Sequence, residues 1–339
     1  MAATKTYLTG IQTSGMPHLG NYYGAIQPAL AAAESNDSLY FLADYHSLNS
    51  VKEPARLRED VRSVAATWLA CGLDPERTVL YRQSSIPEVF ELATVLSSVT
   101  AKGLMNRAHA YKAARDRNEA AGSSELDAGI NMGLFNYPIL MAADILVMET
   151  DVVPVGRDQA QHIEYTADIA RAFNHLYGEH YSFPVPEGAY PADGDGEGSI
   201  LPGVDGRKMS KSYDNHIPLF MPENKLKKLI RRIPTDSTPV EEPKDPDTSV
   251  PFQLLARFGQ AEHVGGVRKR LEAGGMGWGE LKNELFEVVN ERFGAMRERY
   301  DSLVAPGSEL DDILQAGAQR ARRRAGATLA KVRRAVGID

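Results

Sequence analysis

The chain has 339 residues, of which 24% are charged and 43% hydrophobic, and its net charge is −7; these values exclude intrinsic disorder and suggest two folded domains. No apolar run approaches the ~18 residues of a membrane-spanning helix, so no membrane partner is expected. The single cysteine, Cys71, excludes an intrachain disulfide and a thiolate zinc cage, and Met1–Gly10 lacks an apolar signal core, so a cytoplasmic location is expected.

Short β-rich runs alternate with longer helical patterns over the first 221 residues, which predicts an α/β domain with a parallel sheet covered by helices. The predicted strands are Lys5–Thr9, Leu39–Leu42, Thr78–Arg82 and Val152–Val155. The predicted helices are Asn21–Glu34, Leu57–Gly72, Tyr137–Glu149 and Asp158–Asn174. Pro138 is expected at the first helical position of the third helix, and Asp158 at the N-cap of the fourth with Gln161 three residues on.

The remainder of the chain reads as helical after a polar loop and a connector. Residues 192–198 are too polar and glycine-rich for regular structure, and Pro234–Pro251 is rich in proline and acids. The helical segments beyond are Val250–Ala273, Trp278–Leu303 and Ser308–Val336, the last with Ser308 and Asp311 as a capping box. We predict one domain at 1–221 and a helical one at 222–339.

The charge is divided unevenly between these two parts. Residues 223–339 carry 21 Lys and Arg against 18 Asp and Glu, which leaves 17 against 27 for residues 1–222. The cations cluster at Lys225, Lys227, Lys228, Arg231 and Arg232, and again at Arg320, Arg322, Arg323, Arg324, Lys331, Arg333 and Arg334. Solvated helix faces explain such clusters in the ordinary way, and binding of a polyanion is the alternative.

The segment Thr9–Asn21, T-G-I-Q-T-S-G-M-P-H-L-G-N, joins the first predicted strand to the first helix. Its glycines, Gly10, Gly15 and Gly20, let the backbone approach a ligand, and the N–H groups of the following helix face an anion favourably. The segment matches neither the dinucleotide-binding glycine pattern nor the P-loop. A phosphate site and a plain strand-to-helix connection are both open for this segment alone.

A more specific motif, K-M-S-K-S, occupies Lys208–Ser212 after a glycine-rich segment. Two lysines three residues apart on a loop suit a polyphosphate, because an ammonium group is a compact positive charge. A surface loop that is basic by coincidence is the alternative, but a chance match to five fixed residues in a chain of this length has a probability on the order of one in ten thousand.

With H-L-G-N early and K-M-S-K-S late, the chain resembles the class I aminoacyl-tRNA synthetases. Tyr137–Met148 and Asp151–His162 resemble the bacterial tryptophanyl branch of that class. The resemblance implies a Rossmann-like catalytic domain, a C-terminal helical domain that recognises the anticodon, and a homodimer. It also implies the activity: L-tryptophan and ATP give Trp-AMP and pyrophosphate, and tryptophan is then transferred to tRNA(Trp).

Tyr137, Met141, Asp144 and Met148 are spaced four, three and four residues apart and therefore share one helix face. This face is apolar except for the carboxylate of Asp144. A buried carboxylate needs a hydrogen-bond donor, and an indole N–H offers a donor and no acceptor. A core aspartate bound to a backbone N–H or an arginine is the alternative.

The resemblance also implies the site residues. The tryptophan pocket is implied at His46, Tyr137, Met141, Asp144, Val153, Val155 and Gln159. The ATP site is implied at Gln12, Thr13, Ser14, Gly20, Asn21, Gly156, Arg157, Asp158, Ile200, Lys208, Met209, Ser210, Lys211 and Ser212. Catalysis is implied for His18 at the α-phosphate and for Lys208 and Lys211 at the pyrophosphate. Magnesium is expected on the phosphate oxygens of ATP, without a dedicated protein metal site.

Two other functions remain open on the sequence. Tyrosyl-tRNA synthetase is a sister fold in which Asp144 would face a phenol O–H, although the runs around Asp144 and Val153 favour tryptophan. A non-charging paralogue would keep the fold and adenylation alone. The segment Asn106–Lys112 departs from the family pattern, with Ala110 in place of a glutamine, so its contribution to the pocket is not predicted.

Overall fold

A sheet of five parallel strands organises the N-terminal part of the computed structural model, which describes residues 5–13, 15–190 and 201–339. The strands are β1 (Thr6–Ile11), β2 (Asp37–Leu42), β3 (Val79–Arg82), β4 (Val152–Pro154) and β5 (Glu187–Ala189). Their order is β3-β2-β1-β4-β5, and the alternating strand and helix pattern is confirmed. Because the order reverses between β1 and β4, a crevice opens at the carboxyl ends of these two strands.

Helices cover both faces of this sheet. They are α1 (Leu19–Asn21), α2 (Gln27–Ala33), α3 (Asp44–Ser47), α4 (Pro54–Ala70), α5 (Glu88–Val99), α6 (Lys102–Met105), α7 (His109–Ala120), α8 (Met132–Leu146) and α9 (Ala160–Tyr177). A π-helical segment, Tyr22–Ile26, joins α1 to α2, so the predicted helix Asn21–Glu34 begins earlier and is not regular throughout. Such π segments are often found at functional sites.

Two predicted helix starts are wrong. Asn131 caps α8 by accepting from the backbone N–H of Leu134 at 2.9 Å, so the helix begins before Pro138 and encloses it. The cap at Asn131 and the burial of the apolar face of α8 together stabilise a helix in which Pro138 leaves one backbone hydrogen bond unmade. Asp158 is not the N-cap of α9, because a 3₁₀ turn at Arg157–Gln159 comes first and α9 begins at Ala160.

The C-terminal part contains α10 (Glu223–Arg231), α11 (Val250–Phe258), α12 (Ala261–Ala273), α13 (Trp278–Val304) and α14 (Leu310–Val336). The predicted helix Val250–Ala273 is interrupted at Gly259, whose backbone is extended and whose N–H closes α11 on the carbonyl of Leu255. The predicted capping box is wrong, because the hydroxyl of Ser308 donates to the carbonyl of Leu303 and Glu309 precedes α14 without a side-chain cap.

The last helix, α14, packs on β3 and α5 of the α/β part. Several cations of its basic cluster form ion pairs with the α/β part: Arg322 with Glu88 at 2.9 Å, Arg324 with Asp37 at 2.8 Å, Lys331 with Glu149 at 2.8 Å and Arg333 with Glu91 at 3.0 Å. The division at residue 221 remains a prediction, and α14, which belongs to the C-terminal part, packs against the α/β part across that division. In the described parts of the chain, no helix combines the length and apolarity needed to cross a bilayer.

Candidate active site

A cleft of about 1180 Å³ lies at the carboxyl ends of β1 and β4. It draws side chains and backbone from the turn after β1, from α8, from β4 and from the K-M-S-K-S loop, here called the lysine loop (Lys208–Ser212). The predicted site residues on its lining are Gln12, Asn21, Met141, Val153, Val155, Gly156, Gln159 and Lys211. The fold therefore brings together residues that lie up to about two hundred positions apart.

Glycines at the end of β1 and in the turn after it permit a close contact and an unusual backbone angle. A Cβ at Gly10 would lie 2.8 Å from the ring of Phe41, and Gly15 has a φ of +78° that other residues rarely adopt. Thr13 is buried and its hydroxyl lies 2.6 Å from that of Ser47, so its side chain supports the turn. Ser14 lies outside the described residues, as does Ile200.

His18 marks the start of α1 with a reciprocal cap. Its Nδ1 accepts from the N–H of Asn21 at 3.3 Å, and the Asn21 side-chain oxygen accepts from the N–H of His18 at 3.1 Å. Burial, followed by the nearby His216 and Lys211, lowers the pKa of His18 to about 4. His18 is therefore neutral at physiological pH and has an N–H to donate from Nε2. Gly20 packs beside it, where a Cβ would lie 3.0 Å from the His18 ring.

The lysine loop is tied to the turn after β1. The ammonium group of Lys211 donates to the carbonyl of Gly15 at 3.3 Å, and the partial burial of that group lowers the pKa of Lys211 against the opposing effect of Asp60. Met209 is buried in the core and anchors the loop, whereas Lys208, Lys211 and Ser212 are exposed. The loop thus presents Lys211 beside the turn.

Asn215 fixes the shape of this loop and was not among the residues predicted from the sequence. Its side-chain oxygen accepts from the N–H of Ser210 at 2.8 Å, while its amide donates to the carbonyl of Lys208 at 3.0 Å and to Asp205 at 2.7 Å. The Ser210 hydroxyl in turn accepts from the N–H of Ser212 at 3.3 Å. Because Asn215 follows the motif by only three residues, this proximity was the available signal.

Asp144 is 2% exposed and is held by two side chains. Nε2 of His46 lies 3.1 Å from Oδ2, and the amide of Gln83 donates to both carboxylate oxygens at 3.0 and 2.8 Å. The alternative partners considered from the sequence, a backbone N–H or an arginine, are not the ones found among the described residues. Burial raises the pKa of Asp144, and hydrogen bonds from His46 and Gln83 oppose that rise.

This arrangement leaves the carboxylate able to accept one more hydrogen bond. A carboxylate offers about four lone-pair positions, and the three contacts from His46 and Gln83 leave one of them on Oδ1. Met141 and Ile145, on the same helix as Asp144, line the cleft with apolar surface. Helix α8 thus places an unused acceptor next in sequence to an apolar residue of the cleft wall.

A chain of hydrogen bonds links α8 to α9 at the same cleft. The hydroxyl of Tyr137 lies 2.7 Å from Nε2 of His162, and Nδ1 of His162 lies 2.6 Å from the side-chain oxygen of Gln159. His162 was outside the predicted set, although it stands three residues after Gln159. Val153 and Val155 form the adjoining wall, and Gly156 with Arg157 begins the turn after β4. The side chain of Asp158 lies outside the described structure.

Comparisons with known proteins identify the family of the chain. The sequence profile of the tRNA synthetases class I (W and Y) matches residues 3–294. A Tryptophan--tRNA ligase of Pseudomonas aeruginosa is 52% identical over 338 residues, covering 99% of this chain and 74% of that protein. One of Neisseria meningitidis serogroup A is 50% identical over 336 residues, covering 98% of each.

Solved structures give the same result. The crystal structure of tryptophanyl-tRNA synthetase from Campylobacter jejuni matches with a TM-score of 0.89 and 40% sequence identity, covering 98% of this chain and 99% of that one. A second structure of the same protein, complexed with ADP and tryptophan, gives a TM-score of 0.88 at 40% identity over 98% of this chain and 99% of that one.

Proposed function

The chain belongs to the class I tRNA synthetases (W and Y), and from that premise we infer how its cleft carries out amino-acid activation. Its activity is that of a tryptophan–tRNA ligase, as in relatives 50 to 52% identical over nearly the whole chain. It uses ATP to activate L-tryptophan and then transfers tryptophan to tRNA. The matched relatives support this function over tyrosyl-tRNA synthetase and over a non-charging paralogue.

We propose that Asp144 accepts the indole N–H of tryptophan, and this single contact carries the assignment of the pocket. Asp144 precedes Ile145 of the cleft lining in sequence, and its Oδ1 keeps one acceptor position that no described side chain uses. The ring would lie against Met141, Val153 and Val155. His46 holds Asp144, while Tyr137, through His162, orients Gln159 toward the amino group of the substrate.

ATP would occupy the side of the cleft between the turn after β1 and the lysine loop. The proposed contacts are Gln12, Thr13, Ser14, Gly20, Asn21, Gly156, Arg157, Asp158, Ile200, Met209, Ser210 and Ser212, together with Lys208 and Lys211. Support comes from the position of Gln12, Asn21, Gly156 and Lys211 on one cleft and from the bond between Lys211 and Gly15. Asp158 is proposed to accept from ribose hydroxyls.

The chemical step needs positioned charges more than a general base. A carboxylate oxygen of tryptophan attacks the α-phosphorus, the P–O bond to the β-phosphate breaks, and pyrophosphate leaves. The substrate carries its own nucleophile, so the enzyme gains rate by orientation and by stabilising the charge that develops. We assign His18 to the α-phosphate as a neutral donor, and Lys208 and Lys211 to the departing pyrophosphate.

Magnesium is proposed to enter with ATP. The side chains that face the phosphate region, His18, Lys211 and His216, are cations or N–H donors, with Asp60 beyond Gly15. This donor set fits phosphate oxygens rather than a bare divalent ion, which prefers oxygen ligands. The metal would therefore be held by the nucleotide, where it neutralises phosphate charge.

We propose that the helical part, residues 222–339, recognises the tRNA, and that the protein works as a homodimer in the cytoplasm. The exposed basic face of α10 supports the proposed tRNA recognition, since Lys225, Lys228, Arg231 and Arg232 have no ion-pair partner among the described residues.

The mass of the protein in solution, measured by light scattering, tests the proposed homodimer. A mass of twice 37.1 kDa is expected, and a monomer would contradict the proposal.

Pyrophosphate exchange measured separately with each common amino acid tests the activity. Exchange driven by tryptophan is expected, followed by charging of tRNA(Trp). Exchange driven by tyrosine instead would overturn the assignment, and adenylate formation without transfer would favour the non-charging alternative.

Replacement of Asp144 tests the pocket. Asp144→Ala should raise the KM for tryptophan by about a hundredfold or more, because a buried donor loses its charged acceptor. The KM for ATP should stay within about twofold, since Asp144 touches no phosphate in this proposal. Equal losses for both substrates would show that Asp144 is only structural.

A further inference from the structure

Two histidines and a lysine meet where the turn after β1 contacts the segment that follows the lysine loop. The ring centroids of His18 and His216 lie 5.9 Å apart. The backbone holds them there, because His18 pairs with Pro218 and the N–H of Leu19 donates to the carbonyl of Ile217 at 3.0 Å. Lys211 reaches the same turn through Gly15. His216 was not among the residues predicted from the sequence.

Few negative charges face this cluster. Asp214 acts on His216 from the same segment, and Asp60 on α4 acts on Lys211 and would lie 3.1 Å from a Cβ at Gly15. Within the described residues neither carboxylate hydrogen-bonds to a histidine ring of the cluster. The side chains of this cluster are therefore positively charged or hydrogen-bond donors, which favours the binding of an anion.

The two histidines differ in whether their Nδ1 atoms have a hydrogen-bond partner. Nδ1 of His18 already accepts the N–H of Asn21, so this ring stays neutral while the cap is intact. Nδ1 of His216 is buried and has no hydrogen-bond partner in the part of the chain that the structure describes. A buried polar atom without a partner is costly and rare, which marks a place where a ligand completes the bonding.

We propose that His216 takes up a proton when the phosphates of ATP bind, so that His18 as a neutral donor and His216 as a cation hold the polyphosphate together. This deepens the proposed function and rests on it, because His18 and Lys211 of this cluster are proposed contacts of the ATP phosphates. The proton comes from solvent and is returned to solvent after pyrophosphate leaves. No bond to phosphorus is made or broken by either histidine.

The electrostatics give the sign of the effect. Burial and Lys211 lower the pKa of His216 in the free protein, with Asp214 opposing them. Bound phosphates compensate the charge of Lys211 and raise the pKa of His216. The protein with ATP bound therefore binds more protons than the free protein between these two pKa values, and ATP binding strengthens as the pH falls through this window.

Calorimetric titration of ATP and magnesium into the full-length protein, without tryptophan, tests the proposal in two buffers of different ionisation enthalpy. From about pH 8.5 to about pH 6.5 the affinity of the unmodified protein should rise about tenfold, with net uptake of a fraction of a proton, beyond the change that ATP itself contributes. His216→Gln should lose both effects. The matched control, His263→Gln, alters an exposed histidine on α12 paired with Glu284 at 3.3 Å and should keep them.

A second variant keeps the test decisive if His216→Gln does not fold. His216→Arg carries a permanent charge, so it should bind ATP at about pH 8.5 about as tightly as the unmodified protein binds at about pH 6.5. Unchanged pH dependence and proton uptake in His216→Gln, or weak binding by His216→Arg, would overturn the inference. Absence of tryptophan-dependent pyrophosphate exchange, with proton-linked ATP binding retained, would instead overturn the proposed function alone.

Discussion

Gln83 shows, at the scale of one residue, how a buried carboxylate is prepared for a ligand. Its amide donates to both oxygens of Asp144, and its own oxygen accepts from the N–H of Tyr45 at 3.1 Å. The glutamine is itself fully buried. Because its amide is fixed from behind by backbone, it holds the carboxylate in one orientation and helps to keep it ionised. Gln83 is thus a positioning residue for Asp144.

Gln83→Met removes both donors while nearly keeping the volume. We expect the KM for tryptophan to rise by about tenfold or more, because a hydrogen bond to a charged group contributes about 1.5–3 kcal/mol. The KM for ATP should change less than about twofold. Steady-state pyrophosphate exchange measures both constants.

A substrate analogue separates positioning from general destabilisation in Gln83→Met. The preference for tryptophan over an analogue lacking the ring N–H should fall, because that preference depends on the orientation of Asp144. Gln315→Met, on an exposed position of α14, is the control and should leave both KM values unchanged. A variant that loses stability but keeps this preference would show that Gln83 only supports the fold.

At the scale of an element, α14 shows how closely a helix can approach a sheet. Gly317 is buried where α14 crosses β3, and a Cβ there would overlap the backbone carbonyl of Leu80. Ion pairs with Asp37, Glu88, Glu91 and Glu149 flank this contact. The helix is therefore positioned by one close backbone approach, and its charges add complementarity around it.

A pair of glycine substitutions in α14 tests this contact. Gly317→Ala should lower the free energy of unfolding by about 2 kcal/mol or more, because the helix must move away from β3. Gly326→Ala is the matched control: a Cβ at Gly326 would meet nothing within 4 Å, and alanine there should raise stability by about 0.5–1 kcal/mol. Denaturant unfolding measures both. If Gly317→Ala were no more destabilising than Gly326→Ala, the proposed packing would be contradicted.

At the scale of the whole molecule, the two basic clusters have different environments. Several cations of the cluster on α14 form ion pairs with the α/β part. Residues 1–222 carry 17 Lys and Arg against 27 Asp and Glu, so this part offers an excess of acidic partners. The cluster on α10 has exposed cations without such partners among the described residues. Of the two, α10 is therefore the better surface for the phosphates of a tRNA.

Charge reversal on α10 tests this surface. The double variant Lys225→Glu and Lys228→Glu should raise the KM for tRNA about tenfold and reduce the slope of log affinity against log salt by about one to two. Pyrophosphate exchange should stay unchanged, because activation needs no tRNA in this scheme. The control pair, Lys52→Glu and Arg171→Glu, makes the same charge change on exposed positions of the α/β part. Equal effects of the two pairs on the KM for tRNA would show that α10 contributes only through the overall charge of the protein.

The sequence by itself determined the class of fold and the kind of chemistry. The parallel sheet follows from strand and helix periods that are local in sequence, and the K-M-S-K-S motif and the spacing of Tyr137, Met141 and Asp144 lie within single segments. Helix ends were less well predicted at Pro138, Asp158 and Ser308, because each depends on which of several nearby polar groups captures a backbone N–H or carbonyl.

Only the tertiary structure decided which side chains complete the site and which cations remain exposed. Gln83 and Asp144 are 61 residues apart, and His18 lies beside His216 where the turn after β1 contacts the segment after the lysine loop. Neither pair is therefore predicted by a local sequence pattern. The cations of α14 could not be distinguished from those of α10 by composition. Their state depends on which carboxylates the packed sheet and helices place within reach, and long-range packing alone sets those distances.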